Sequence, residues 1–126
     1  MLINRILIVG LGSIGRRHLR LARELIPNAD IRVLRHKASN ELPQYSDGCF
    51  SSIEEAISFA PQIAVIANPA PFHIITARSL AEIGVHLFIE KPLSDSLDGV
   101  SQLFEVCKKQ NIFLLISFFS TCEGAW

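Results

Sequence analysis

Four consecutive apolar residues, Ile6-Leu7-Ile8-Val9, run without a break into Gly10-Leu11-Gly12-Ser13-Ile14-Gly15. Such a run predicts a strand buried on both faces, which requires a sheet with helices on either side. The glycines predict a tight turn into a helix, with Ile14, Leu21, Ala22 and Leu25 following at helical spacing. Each glycine has its own physical role. Gly10 permits the turn, Gly12 lets a pyrophosphate approach the backbone without meeting a Cβ, and Gly15 lets helix and strand pack closely. The helix start then offers unpaired N–H groups and a positive dipole end to phosphate. The same glycine spacing also occurs in purely structural turns; its place directly after a buried strand favours a dinucleotide.

The remaining chain repeats strand and helix. Ile26-Pro27-Asn28 stops the first helix, and Ile31–Arg35 reads as a second strand. Residues 36–51 read as a loop, with a short extended piece allowed at Cys49-Phe50. Ser51 or Ser52, each with a glutamate three residues on, caps a second helix that buries Ile53, Ala56, Ile57 and Ala60. Gln62–Ala67 is a third strand, followed by the turn Asn68–His73 and a helix carrying Ile74, Ala77, Leu80 and Ala81 on one face, closed by Gly84. Val85–Ile89 is a fourth strand running into Glu90-Lys91-Pro92. Ser94 is the expected cap of a fourth helix with Leu97, Val100, Leu103, Phe104 and Cys107 on its apolar side, and Ile112–Ile116 is a fifth strand. This alternation predicts an α/β fold, a doubly wound parallel sheet in the order 3-2-1-4-5 with helices on both faces.

At 126 residues, with 49% hydrophobic and 19% charged, the chain is one globular domain. Residues 1–120 form the expected dinucleotide-binding unit and residues 121–126 a tail. Twelve basic residues balance twelve acidic ones, so overall charge directs the chain to neither nucleic acid nor an anionic membrane. The longest apolar run, Ile112–Phe119, is too short to span a bilayer. Three cysteines at unrelated spacing, Cys49, Cys107 and Cys122, read as reduced thiols in a cytoplasmic protein, and no metal-ligand pattern is visible.

In a sheet of this kind ligands bind at the carboxyl ends of the strands, where the strand order reverses. The chemistry-bearing loops all fall on that edge. After strand two, where an acid would receive an NAD ribose, stand Arg35, His36 and Lys37, which predict NADP rather than NAD unless they are only a solvated strand end. After strand four, Lys91 can hydrogen-bond a substrate hydroxyl and assist proton transfer; an exposed Glu-Lys pair before a proline turn is the plainer alternative. His18, His36 and His86 read as structural or exposed, since none has a legible partner acid.

Together these segments resemble the Gfo/Idh/MocA oxidoreductase family: Gly10–Gly15 followed by Arg17-His18, then Ala67-Asn68-Pro69-Ala70-Pro71-Phe72-His73, then Glu90-Lys91-Pro92-Leu93-Ser94. The resemblance covers the chain to about Ser117, and Glu-Lys-Pro is its most specific part. It implies that Gly10, Leu11, Gly12, Ser13, Ile14 and Gly15 bind pyrophosphate, that Asn68, Pro69 and His73 line the wall beside the riboses, and that Glu90 contacts the nicotinamide ribose. Lys91, with Pro92 behind it, lies near the nicotinamide and the reacting carbon of a sugar or polyol. Family members continue into a larger α/β domain that supplies substrate contacts. The expectation is a cofactor half that binds NADP or NAD without turnover and forms a homo-oligomer; the alternative is a non-catalytic dinucleotide-sensing or interaction module.

Overall fold

The structure, a computed structural model, describes residues 2–35 and 41–117. Six parallel strands form one sheet in the order β3-β2-β1-β4-β5-β6, with β1 Arg5–Val9, β2 Asp30–Leu34, β3 Gly48–Phe50, β4 Ile63–Ile66, β5 His86–Ile89 and β6 Leu114–Ile116. This is the doubly wound order carried to six strands. Gly48–Phe50, the allowed extended piece, takes the outermost place beyond β2 as β3, so the segment read as strand three sits beside β1 as β4. The strand order therefore reverses between β1 and β4, and the loops after both open on the same edge.

Ile6 to Val9 are all at least 96% buried. Ile6 and Ile8 pack with Leu19, Ile31 and Val33 beneath α1, Ser13–Leu25. Leu7 and Val9 pack on the opposite face with Ala56 of α2 (Ile53–Phe59), Ala77 and Leu80 of α3 (His73–Ala81) and Leu103 of α4 (Val100–Gln110). The period of two along β1 thus divides the core into two layers.

Local rules fix the helix ends. Ser52 is the cap of α2, its hydroxyl accepting from the Glu55 amide while Glu55 accepts from the Ser51 amide. The Ser51 amide, with the Ser52 and Ser51 hydroxyls also donating to the carboxylate, holds the Glu55 carboxyl below its ordinary value. Some expectations need correction: Ala60 is not on the buried face of α2 but is its exposed, left-handed C-cap, and Phe104 on α4 is 45% exposed. Leu25 does not join the buried face of α1; it is 80% exposed, and Gly15 and Leu19 are the buried positions. Ser94 does not cap α4 either: the helix starts at Val100 after Gly99, whose positive φ of 79° cannot continue a right-handed helix, and Leu97 is left 90% exposed. On the α1 side, β4 to β6 are not covered by a second helix among the described residues. A hollow of about 450 Å³ lies there, lined by Leu21, Leu25, Val65, Phe88, Phe113 and Leu115 among others.

Candidate dinucleotide site

The turn between β1 and α1 is held by contacts only glycine allows. Gly10 has φ +93°, and a Cβ there would stand 2.8 Å from the Ala67 carbonyl oxygen and the Asn68 nitrogen, so the turn lies directly against the end of β4. Gly12 differs, since a Cβ on it would meet nothing within 4 Å. Its smallness serves no packing need of the chain itself and leaves the backbone open to an incoming group. No side chain caps α1 at Gly12 and no acid occupies its first turn, so its leading amides are left for an anion.

A groove of about 530 Å³ opens from this turn, lined by Gly10, Leu11, Arg35, Asn68 and Pro69 among others. Three loops that are far apart in sequence therefore meet on one edge. The groove also takes in Phe72, from the turn expected on this edge, and Ser51 together with Ile75, Thr76 and Ser79 on the outer face of α3, which the sequence pattern did not single out. A signal was available: Ile75 is 71% exposed and falls off the period of the buried Ile74, Ala77, Leu80 and Ala81. Arg35 is half-buried, with its amide donating to the Phe50 carbonyl, and lies close to Cys49. Burial pushes the Cys49 thiol up, partly offset by the Arg35 charge. His36 and Lys37, with Cys122 and the tail 121–126, lie outside the described residues.

The loop after β5 divides the expected Glu-Lys pair. Glu90 is buried to 6% relative exposure, whereas Lys91 and Pro92 are exposed. Glu90 Oε1 is hydrogen-bonded to His18 Nε2 from α1, and Oε2 has no protein partner. The expectation that His18 has no partner acid is thereby corrected; the pair spans 72 positions, which no local pattern reveals. His73 is buried to 2%, its Nδ1 lying 2.9 Å from the Pro92 carbonyl oxygen and its Nε2 2.5 Å from that of Asn68. Asn68 donates from Nδ2 to Thr76 Oγ1 at 3.4 Å, and its buried Oδ1 has no protein partner. Two buried acceptors without partners, Asn68 Oδ1 and Glu90 Oε2, thus stand in the loops after β4 and β5, on the edge where the glycine turn opens. Burying such groups unpaired is costly, and functional sites are where that cost is tolerated. Among the described residues no cluster of His, Cys, Asp and Glu could hold a metal ion, and no helix is long and apolar enough to cross a membrane.

A parallel sheet with its order reversing at β1 and β4, a glycine turn open at Gly12 and a groove along the carboxyl edge define a dinucleotide-binding domain of the Rossmann type. The chain belongs to the Gfo/Idh/MocA oxidoreductase family, whose NAD-binding Rossmann-fold model matches residues 4–118. A curated relative, the uncharacterized oxidoreductase YrbE of Bacillus subtilis, is 26% identical over 117 residues, covering 88% of this chain and 34% of its own. Among solved structures, myo-inositol 2-dehydrogenase from Lactobacillus plantarum superposes with a TM-score of 0.79 at 24% identity, covering 94% of this chain and 37% of that one. The WlbA dehydrogenase from Bordetella pertussis, in complex with NADH and UDP-GlcNAcA, superposes with a TM-score of 0.75 at 19% identity, covering 90% and 36%. These likenesses establish the fold, and the chain spans about a third of the length of each of these proteins.

Proposed function

We propose that this chain is the cofactor-binding part of an oxidoreductase that moves hydride between a nicotinamide cofactor and a hydroxyl or carbonyl group of a sugar, polyol or sugar derivative. The observation that carries the reading is the open space at Gly12, next in sequence to Gly10 and Leu11 of a groove that three separate strand-end loops build. Gly10 to Gly15 cradle the pyrophosphate through backbone amides. Asn68 Oδ1 offers a buried acceptor to a ribose hydroxyl, and Pro69 and His73 shape the wall beside it. Arg35, with His36 and Lys37 following in sequence, favours NADP over NAD. When bound, the nicotinamide supplies the hydride acceptor or donor.

Lys91 is the proposed catalytic residue: exposed at the end of β5, it orients a substrate hydroxyl and exchanges a proton with it as hydride leaves. Glu90 and Pro92 flank it, with Glu90 toward the nicotinamide ribose. The sugar class is supported by relatives named for inositol and for a UDP-sugar complex. Turnover further needs a wall that holds the reacting carbon about 3 to 3.5 Å from the nicotinamide. We assign that wall to a second domain beyond this chain, and place the protein in the cytoplasm as an oligomer, with neither nucleic acid nor membrane as partner.

The test is cofactor reduction followed by absorbance over a panel of polyols, sugars and sugar derivatives, for this chain and for a longer form carrying a second domain. Turnover by the longer form, abolished by Lys91→Ala with little change in cofactor affinity, is expected. Dinucleotide binding without turnover in any longer form favours the sensing module instead.

A further inference from the structure

β5 ends at Ile89, and the next three residues leave the sheet in different environments, Glu90 buried and Lys91 and Pro92 exposed. An exposed lysine on such a loop would ordinarily wander. Here both of its neighbours are tied down, each by a histidine from a different helix. His18 of α1 holds the Glu90 carboxyl, and His73 at the start of α3 meets the Pro92 carbonyl oxygen at 2.9 Å. Neither contact is local, the first spanning 72 positions and the second 19.

We propose that His18 and His73 are positioning residues for Lys91, which is carried on a short bridge between α1, the helix that follows the glycine turn, and the start of α3 beyond the loop after β4. The proposal rests on the reading of that groove as the cofactor site and of Lys91 as the group beside the nicotinamide. One end of the bridge is fixed to the helix that follows the glycine turn. The other is fixed through His73, whose second ring nitrogen lies 2.5 Å from the carbonyl oxygen of Asn68, itself a groove residue. The lysine's backbone is thereby registered against the helix that follows the glycine turn and against the loop after β4, and small misplacements of a reacting group are costly in rate.

The donor inventory supports this assignment. Both oxygens that His73 meets are backbone carbonyls, which only accept, so a neutral ring donates to one of them, and the bridge to Pro92 is the tautomer with the hydrogen on Nδ1. His73 is buried to 2% with both ring nitrogens engaged, which leaves neither for a substrate. Glu90 has no protein hydrogen-bond partner for Oε2, so the fixing of its side chain falls to His18. Asparagine at 73 and glutamine at 18 place an amide N–H near the same ring-nitrogen positions and restore the contacts, whereas alanine removes them.

The experiment reads Lys91 directly. Reductive methylation of the chain is followed by mass spectrometry with and without NADH, with Lys108 and Lys109 on α4 as internal controls, alongside ¹⁵N spectra of the histidine rings. In the unaltered chain NADH slows methylation of Lys91 several-fold and leaves the controls unchanged, and His73 Nδ1 carries a hydrogen. His18→Ala and His73→Ala lose that protection at saturating NADH, and in His18→Ala the dissociation constant for NADH stays within about threefold; His18→Gln and His73→Asn regain it. If NADH leaves Lys91 of the unaltered chain unprotected, the cofactor reading falls and this proposal with it. If the unaltered chain is protected and the alanine variants equally so, the positioning role alone is overturned. A His73 Nδ1 without hydrogen overturns it whatever the variants do, including where they fail to fold.

Discussion

The carbonyl oxygen of Gly10 lies only 2.2 Å from the point where a Cβ on Gly15 would stand, so the first turn of α1 rests directly on the strand end that feeds it. The obstacle is backbone and cannot rotate away. Gly15→Ala should therefore destabilise the fold by about 2 to 4 kcal/mol. Gly12→Ala, with a φ of −76° and nothing within 4 Å, should change stability by less than about 1 kcal/mol. It should nevertheless weaken NADH binding about tenfold or more, because the methyl group stands where the pyrophosphate approaches. Thermal melts beside fluorescence titrations separate the two effects.

Arg35 sets the expected cofactor preference. A charge-assisted contact to a 2′-phosphate contributes about 1.5 to 3 kcal/mol, so NADP⁺ should bind at least about tenfold more tightly than NAD⁺. Calorimetric titration of both checks this, and Arg35→Asp should reverse the order. Equal affinities in the unaltered chain would remove the assignment.

Acid stability should depend on Asp47. Burial raises its carboxyl pKa, but the Ile31 amide and the Arg23 guanidinium outweigh burial and hold it below the ordinary value. A folded-state pKa below the unfolded one stabilises the fold above the unfolded value, and that stability is lost as pH falls through the folded value, below about pH 4. The group is exposed and screened, so Asp47→Asn should cost only about 1 kcal/mol at pH 7 and flatten the decline below pH 4. Denaturant titrations between pH 7 and pH 3 measure both.

Self-association should run through β6. The strand pairs with β5 only, among the described residues, and its flank carries Phe113 at 70% and Leu115 at 59% exposure. An uncovered apolar edge invites another chain. Sedimentation velocity should show concentration-dependent association that Leu115→Lys suppresses; a single monomer at every concentration would contradict it.

What was legible in the sequence was local. The β1 run, the glycine turn and the Ser52–Glu55 cap each depend on residues within a few positions, and all three form as read. β3 was ambiguous because three residues give too little periodicity to separate a strand from a loop. Ser94 misled because a serine before a helical pattern has the features of a cap, while the positive φ that delays α4 belongs to Gly99. Leu25 fits a helical period, but it borders the hollow over β4 to β6, where no further helix covers it among the described residues, and so stays 80% exposed. The His18–Glu90 pair was hidden for a different reason: it exists only because the strand order sets β4, and not β2, between β1 and β5 on the side that α1 overlies. No spacing rule encodes that neighbour relation.

The most direct test of the dinucleotide site is an amide ¹H–¹⁵N titration of the chain with NADH. The account predicts saturable shifts concentrated at Gly10 to Gly15, Arg35, Asn68 and Lys91, with Leu25, Phe113 and Leu115 on the uncovered α1-side hollow unchanged. An absence of saturable shifts, or shifts gathered in that hollow and absent from the glycine turn, would contradict it.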